Sequence, residues 1–365
     1  TTAQAGILED TPRFDYSGGA TCPSLLLEPS RTNPLPQSEY IYAGGGYNFT
    51  GSSVVTYNAA TSPEGVQNAA LFNFPVNNAG FYNFTTGGNK SVGDKITMSL
   101  FAKLKLGSST NIIKIGYGGT SVGGDKLSEF NLSTGIVTYT HPSVDSAIIE
   151  DYGNGWYRLI QTQTCIAAGN AGVVAYGAGN IDAYVWGVQS EDASYATSYI
   201  PTYGVSQTRA NEDTVQVNNM LVSGVTTSGA WSLFFDISKE ADNAYDGDNS
   251  IIVRLFNSSA DLISVRKYYE GQEGRLRFYS NLDVQTISYL DTSNKKWCMV
   301  VDDKEIKLYS DGSLKHTANL PSSHNGLDDI VLQYGSSERT STNYSSVLVF
   351  PTALTDSECI ALTTI

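Results

Sequence analysis

The pentapeptide Gly119–Gly123, GTSVG, has the spacing of a nucleophile elbow, with Ser121 where an attacking hydroxyl would stand. That chemistry needs a strand before the serine, a helix after it and a base within reach. Here the sequel GDKLSEFNLSTG reads as a turn and a strand, and His141, His316 and His324 are the only histidines. The pentapeptide therefore reads as a hairpin loop. Glycoside hydrolysis needs two carboxylates across a sugar, which one strand supplies only at even spacing. No E-x-D-x-E alternation occurs. Asp302, Asp303 and Glu305 adjoin a hairpin, and Asp328 and Asp329 are adjacent, so they would point to opposite faces. The expectation is a protein that is not an enzyme and uses no cofactor.

Binding chemistry is better represented. Sugar recognition asks for aromatic faces to stack on the CH-rich face of a pyranose, with polar groups beside them for the hydroxyls. Trp156, Trp186, Trp231 and Trp297 all fall inside strand patterns and read as core. The loop aromatics are the candidate ligand contacts: Tyr42, Tyr47 and Phe49 around Gly44–Gly46, Tyr117 in a glycine-rich stretch, Tyr245, and the pair Tyr268 and Tyr269 beside Arg266 and Lys267. Asp242, Asp246 and Asp248 cluster in DNAYDGDNS. Carboxylates of that density suit a structural calcium, though the full loop pattern is missing and a solvated turn fits equally.

The elements that must position these residues are strands. Gly (35) and Tyr (23) are abundant and only 16% of residues are charged, a composition of short strands and turns. In Thr97–Leu106 the residues Met98, Leu100, Ala102, Leu104 and Leu106 share one face, and Phe101 alone breaks the alternation; this predicts a half-buried strand. Strands are also expected at 156–164, 183–188, 231–237, 251–256 and 297–301. Asp311-Gly312 predicts a hairpin turn between strands at 306–309 and 314–316. Thr355 and Glu358 form a capping box that starts one short helix. Without βαβ alternation, the fold class is all-β, with two tandem antiparallel sandwiches. The polar stretch 201–218 marks the boundary. The proline-rich opening, 1–40, reads as an extended arm packed on a first module of 41–205, followed by a linker of 206–217 and a second module of 218–365.

A net charge of −14 with no basic run argues against nucleic acid. Cys22, Cys165, Cys298 and Cys359 are widely spaced and read as free, buried thiols. No apolar run suits membrane insertion, and no signal-peptide pattern opens the chain.

Several segments carry a resemblance. PRFDY (12–16), SLLLEPSRTN (24–33) with QSE (37–39), NAATSPEGVQNA (58–69), NGWYRL (154–159) and VWGVQSEDASYATSYIPTYGVSQTR (185–209) occur in the order found in a module common in bacteriophage tail and fibre proteins. LFFDI (233–237), IKLYSDGSL (306–314) and FPTALTDSECIAL (350–362) are similar to laminin-G/concanavalin-like lectin modules. The resemblance implies a carbohydrate-binding-like jelly roll followed by a lectin-like sandwich. It further implies a virion-surface or extracellular fibre component that attaches to host cell-surface polysaccharide or glycan. Such a component would be a homotrimer assembled with other virion fibre proteins. Asp182 matches the place where related jelly rolls hold a structural calcium. Relatives commonly place a tryptophan just after QSE, where this chain has EYIYAGGGYNF with Tyr47 or Phe49 instead. Arg31 and Arg209, near Glu28 and Asp213, read as ties between arm and linker rather than ligand contacts. The alternatives are a spacer or decoration protein, a polysaccharide depolymerase, or accessory modules of a secreted bacterial enzyme.

Overall fold

The computed structural model describes residues 13–15, 24–84, 88–210, 215–217, 230–240, 249–256, 262–270, 273–280, 283–287, 296–319, 329–334 and 342–364. The described residues are all-β apart from α1 (Asp356–Thr363), and the chain divides into two compact units.

The first unit is built on eight strands: β1 (Ala69–Phe74), β2 (Gly80–Asn83), β3 (Lys95–Leu104), β4 (Ile112–Gly118), β5 (Lys126–Asn131), β6 (Trp156–Thr164), β7 (Gly172–Gly177) and β8 (Ile181–Glu191). They pair antiparallel in two sheets, ordered β6-β3-β8-β1 and β5-β4-β7-β2. Successive strands cross between sheets in the jelly-roll order, except β4 and β5, which form a hairpin within one sheet. Ser146–Asp151 and Val54–Ala60 extend the first sheet at its two edges, and Ile136–Tyr139 and Asn48–Thr50 extend the second. Met98, Leu100, Ala102, Ala183 and Val185 from one sheet meet Phe81, Ile113, Ile115, Val173 and Ala175 from the other in a single core.

One expectation changes here. β3 is not half-buried: residues 96–102 are buried on both faces. Phe101, the residue that broke the alternation, centres a second cluster on the outer side with Trp156, Trp186 and Tyr199. The closing segment 192–204 is laid over that side by buried polar groups. Ile200 N donates to Gln189 Oε1 (2.6 Å) and Thr197 N to Glu191 Oε2 (2.9 Å). Arg158 Nη2 donates to the Thr197 carbonyl (2.6 Å), with its guanidinium 5.5 Å from the Phe101 ring centroid. Asn33 clips the returning chain by donating to the carbonyls of Val188 and Ile200.

The second unit has two antiparallel sheets. The seven-stranded one runs, in order, Arg13–Asp15, Ser24–Leu27, Thr342–Phe350, Trp231–Glu240, Lys296–Asp302, Glu305–Ser310 and Ser313–Asn319. The six-stranded one runs Val215–Val217, Asp329–Tyr334, Asn249–Phe256, Leu262–Glu270, Glu273–Ser280 and Asp283–Ile287. Leu233, Phe235, Met299 and Leu308 share a core with Val253, Ile330 and Leu332 of the other sheet. α1 packs Cys359 against Phe234, Cys298 and Val300. Its capping box is formed, with Glu358 N donating to the Thr355 hydroxyl and Thr355 N to Glu358 Oε2. Asp311 and Gly312 have φ of 52° and 59°, as a two-residue hairpin of primed type needs.

The arm differs from expectation. Residues 13–15 and 24–27 are strands of the second unit, with Leu25–Leu27 pairing Thr342–Tyr344. Leu27 and Leu25 of SLLL bury in the second unit's core, and the Thr342–Phe350 strand offers an edge that the segment completes. Arg31–Asn33 instead pairs Gln207–Arg209 inside the first unit. The chain passes from the first unit to the second after Ala210.

Candidate functional site

The two sheets of the first unit differ in what covers them. The outer face of β6-β3-β8-β1 is closed by the segment 192–204. The outer face of β5-β4-β7-β2 carries Tyr82, Phe84 and Tyr176, all half-buried, and among the described residues no segment like 192–204 is bonded over it.

Strand register fixes the layout. Thr50, Gly80, Tyr176, Lys114, Glu129 and Tyr139 stand side by side in one row across the sheet. In the next row stand Asn48, Tyr82, Val174, Gly116 and Leu127. Tyr82 and Phe84 project from the same side of β2, with ring centroids 5.0 Å apart. Glycines under the rings let them lie close to the sheet. A Cβ on Gly80 would come within 2.6 Å of the Tyr176 ring, and one on Gly172 within 2.4 Å of Phe84. Over Gly118 sit both Phe84 and Asp125 Oδ1.

Polar groups border these rings. Tyr176 donates its hydroxyl hydrogen to Asp125. Burial, then the Asp125 charge, pushes the Tyr176 phenol up to about 12. Burial also raises the Asp125 carboxyl above its usual range, against the pull of Lys126 and of the Tyr176 hydrogen bond. Lys114 donates to Asn77 Oδ1 (2.8 Å) and to Asn78 Oδ1, and burial lowers its ammonium despite the facing Glu129. Past Phe84 the face opens into a cleft of about 580 Å³ lined by Phe84, Gly119, Thr120, Gly123, Gly124 and Asn170. Thr120 donates its hydroxyl to Asn170 Oδ1 (2.8 Å), which fixes one wall.

The GTSVG loop is that wall, in keeping with a hairpin loop and not an elbow. Ser121 is buried, and its hydroxyl donates to the Asn170 carbonyl (2.9 Å). Gly123 and Gly124 take φ of +74° and +89°, left-handed values that suit glycine.

Of the aromatics expected to meet ligand, Tyr47 and Tyr117 are in the core. Tyr47 donates to the Gln37 carbonyl (2.7 Å), and the Tyr117 hydroxyl pairs with Ser190 Oγ (2.9 Å). Burial drives both phenols far above their ordinary values. Phe49 packs on the same core. Tyr42 is half-buried beside Tyr40. Tyr245, Asp242, Asp246 and Asp248 lie outside the described residues, and so do the side chains of Tyr268 and Tyr269, whose backbone is strand. Asp182 accepts from Asn73 Nδ2 (2.6 Å) and Lys105 Nζ (3.1 Å), so an ammonium stands where a calcium would. The Asn73 bond first, with Lys105, lowers its carboxyl. Among the described residues no three acidic, histidine or cysteine side chains gather to hold a metal. Arg31 lies 5.4 Å from the Tyr195 ring centroid, and Arg209 donates to the Ser198 carbonyl, both within the first unit. Cys165, Cys298 and Cys359 are free and buried, and Cys22 lies outside the described residues.

Fold and surface together define a two-unit, all-β protein whose jelly-roll unit presents an aromatic, glycine-floored sheet face. No family model matches the chain, and no curated protein matches its sequence. Among solved structures it is similar to the N-terminal tandem of CBM22 modules from Paenibacillus barcinonensis, at 11% identity and a TM-score of 0.31, over 92% of this chain and 99% of that one. It is also similar to domains LG4-5 of the mouse laminin α1 chain (8% identity, TM-score 0.26, 88% and 96%). A third likeness is to Trypanosoma rangeli sialidase (11% identity, TM-score 0.27, 81% and 60%).

Proposed function

We propose that this chain is a non-catalytic glycan-binding protein, and that it serves as a fibre or tail component attaching a virion to host cell-surface polysaccharide. The observation that carries the glycan reading is the open sheet face. Tyr82, Phe84 and Tyr176 offer rings flush with a glycine floor, and Asp125, Lys114 and Asn170 supply acceptors and donors at their border. That is what a pyranose asks for: an apolar platform for its CH face and fixed polar groups for its hydroxyls. The rings are held in place by their neighbours, so little ordering opposes binding. The virion role is supported by the ordered segments at 12–39, 58–69, 154–159 and 185–209 that resemble phage fibre modules. A homotrimer would turn weak single sites into useful attachment by raising effective concentration.

A microbial glycan array probed with the chain and with a Tyr82→Ala/Phe84→Ala variant tests the reading. Specific signals that the variant loses are the expected result. Silence of the native chain on the array and on host cells sinks it. Light scattering of the purified chain checks the trimer.

A further inference from the structure

A second group of rings stands on other elements of the first unit. Tyr40 is 47% exposed although its ring touches two others, with centroids 4.9 Å from Tyr42 and 4.4 Å from Tyr57. Single exposed tyrosines are common; here the Tyr40 ring bridges Tyr42 and Tyr57, joining the three in one apolar patch. The surface is also rigid. Gly45 lies flat on the Tyr42 ring, so that a Cβ there would sit 2.5 Å from Cε1. Tyr42 is thus backed by Gly45 and contacted by Tyr40, while Tyr57 is held on the Val54–Ala60 strand. Gly44 and Gly46 take φ of +104° and +88°, which lets the loop fold back onto the ring. The phenols lie close enough to act on one another: burial, then Tyr40 and Tyr42, raises the Tyr57 hydroxyl. Beside Tyr40 in the chain, the Glu39 carboxylate accepts from Asn68 Nδ2 (2.9 Å) and from the hydroxyl of Tyr203 (3.0 Å), a residue 66% exposed.

We propose that Tyr40, Tyr42 and Tyr57 form a second saccharide contact that takes one neutral pyranose unit, with Tyr40 as the stacking ring. The three side chains bring apolar faces and hydroxyls and no positive charge, which suits a neutral sugar and not a uronate or sulfate. This rests on the glycan-binding reading of the chain but not on the site assigned to it. Two contacts on one unit would engage separate stretches of a polymer, so avidity for polysaccharide would exceed affinity for a short fragment.

The test is calorimetric titration of the whole chain with cellotriose, mannotriose and chitotriose, comparing Tyr40→Ala, Tyr40→Phe and Tyr82→Ala/Phe84→Ala, with thermal unfolding as the folding control. Two sites per chain in the native protein are expected. Tyr40→Ala should remove one of them and Tyr40→Phe should keep it, because stacking needs the ring and not the hydroxyl. One native site, lost in Tyr82→Ala/Phe84→Ala and untouched by Tyr40→Ala, overturns this proposal and leaves the sheet-face reading standing. One native site lost only in Tyr40→Ala supports this proposal and removes the sheet face. Binding of none of the three sugars overturns both.

Discussion

Tyr176 gives its hydroxyl hydrogen to the carboxylate of Asp125, joining the middle of the open sheet face to the loop that precedes β5. Because burial raises the Asp125 carboxyl, its proton returns at a higher pH than in the unfolded chain. Stability and affinity should therefore run in opposite directions through one window. The folded state holds that proton more tightly, so this group's contribution to stability falls as pH rises from the ordinary aspartate range through the raised value. Affinity for a sugar hydroxyl rises over the same window, as the stronger, charged acceptor forms. Titrations at several pH values should show weaker binding on the acid side by about fivefold, since a hydrogen bond to a charged group contributes roughly 1 kcal/mol more than a neutral one. Asp125→Asn should flatten that profile.

The glycine floor gives a second expectation. Tyr82→Ala and Phe84→Ala should each weaken glycan binding about five- to tenfold, from roughly 1 kcal/mol per ring contact. Gly118→Ala tests ring placement without removing a ring. Its Cβ would meet Asp125 Oδ1 at 2.3 Å and Phe84 Cζ at 2.9 Å, both ends of side chains able to swing away. Affinity should fall to a similar degree while stability changes by about 1 kcal/mol or less. Unaltered affinity in Gly118→Ala would mean that the rings do not contact the sugar.

The strands were legible because their pattern is local. Trp156–Thr164 was expected at those bounds, and the Asp311-Gly312 turn and the Thr355/Glu358 capping box formed as read. The open face was not legible, because Tyr82, Phe84 and Tyr176 come from β2 and β7, and only the jelly-roll order brings these strands together. Nor does any local pattern say which sheet the closing segment covers; Phe101 was the single hint. Tyr117 misled for a simple reason. In Gly116–Tyr117–Gly118 the tyrosine takes an inward position of β4 and Gly118 lies under Phe84 on the outer face, so a glycine-rich stretch was strand and not loop. Tyr47 adjoins a glycine loop but begins the descent into the core, and Tyr42 is what that loop leaves at the surface.

The segment 185–209 has a structural duty, which predicts a stability effect there. Glu191 is almost fully buried and accepts from Gln189 Nε2 (2.8 Å), Thr197 N (2.9 Å) and the Thr197 hydroxyl. Glu191→Ala orphans those donors and takes a negative charge from the surroundings of Arg158. The cost should be about 3 kcal/mol, typical of stripping partners from buried polar groups. Urea unfolding should show a lower midpoint with an unchanged slope, and Glu191→Gln should lose less.

Leu27 and Leu35 are close in sequence and belong to different cores. Leu27 is 4% exposed and sits in the second unit's cluster with Phe235 and Leu332, whereas Leu35 is 1% exposed in the first unit's cluster with Val185 and Val188. The chain therefore changes allegiance between them, at the start of Arg31–Asn33. If the opening strands are integral to the second unit, truncating either leucine should act on one unit alone. Leu27→Ala removes buried methyls and leaves a cavity, a change that costs about 3 kcal/mol. It should lower the unfolding transition of the second unit and spare that of the first. Leu35→Ala should do the reverse. Glycan binding at the jelly-roll face should survive Leu27→Ala at temperatures where the second unit has already unfolded, which calorimetry with and without ligand would show. Equal displacement of both transitions by Leu27→Ala would place the opening strands differently and remove this account of the arm.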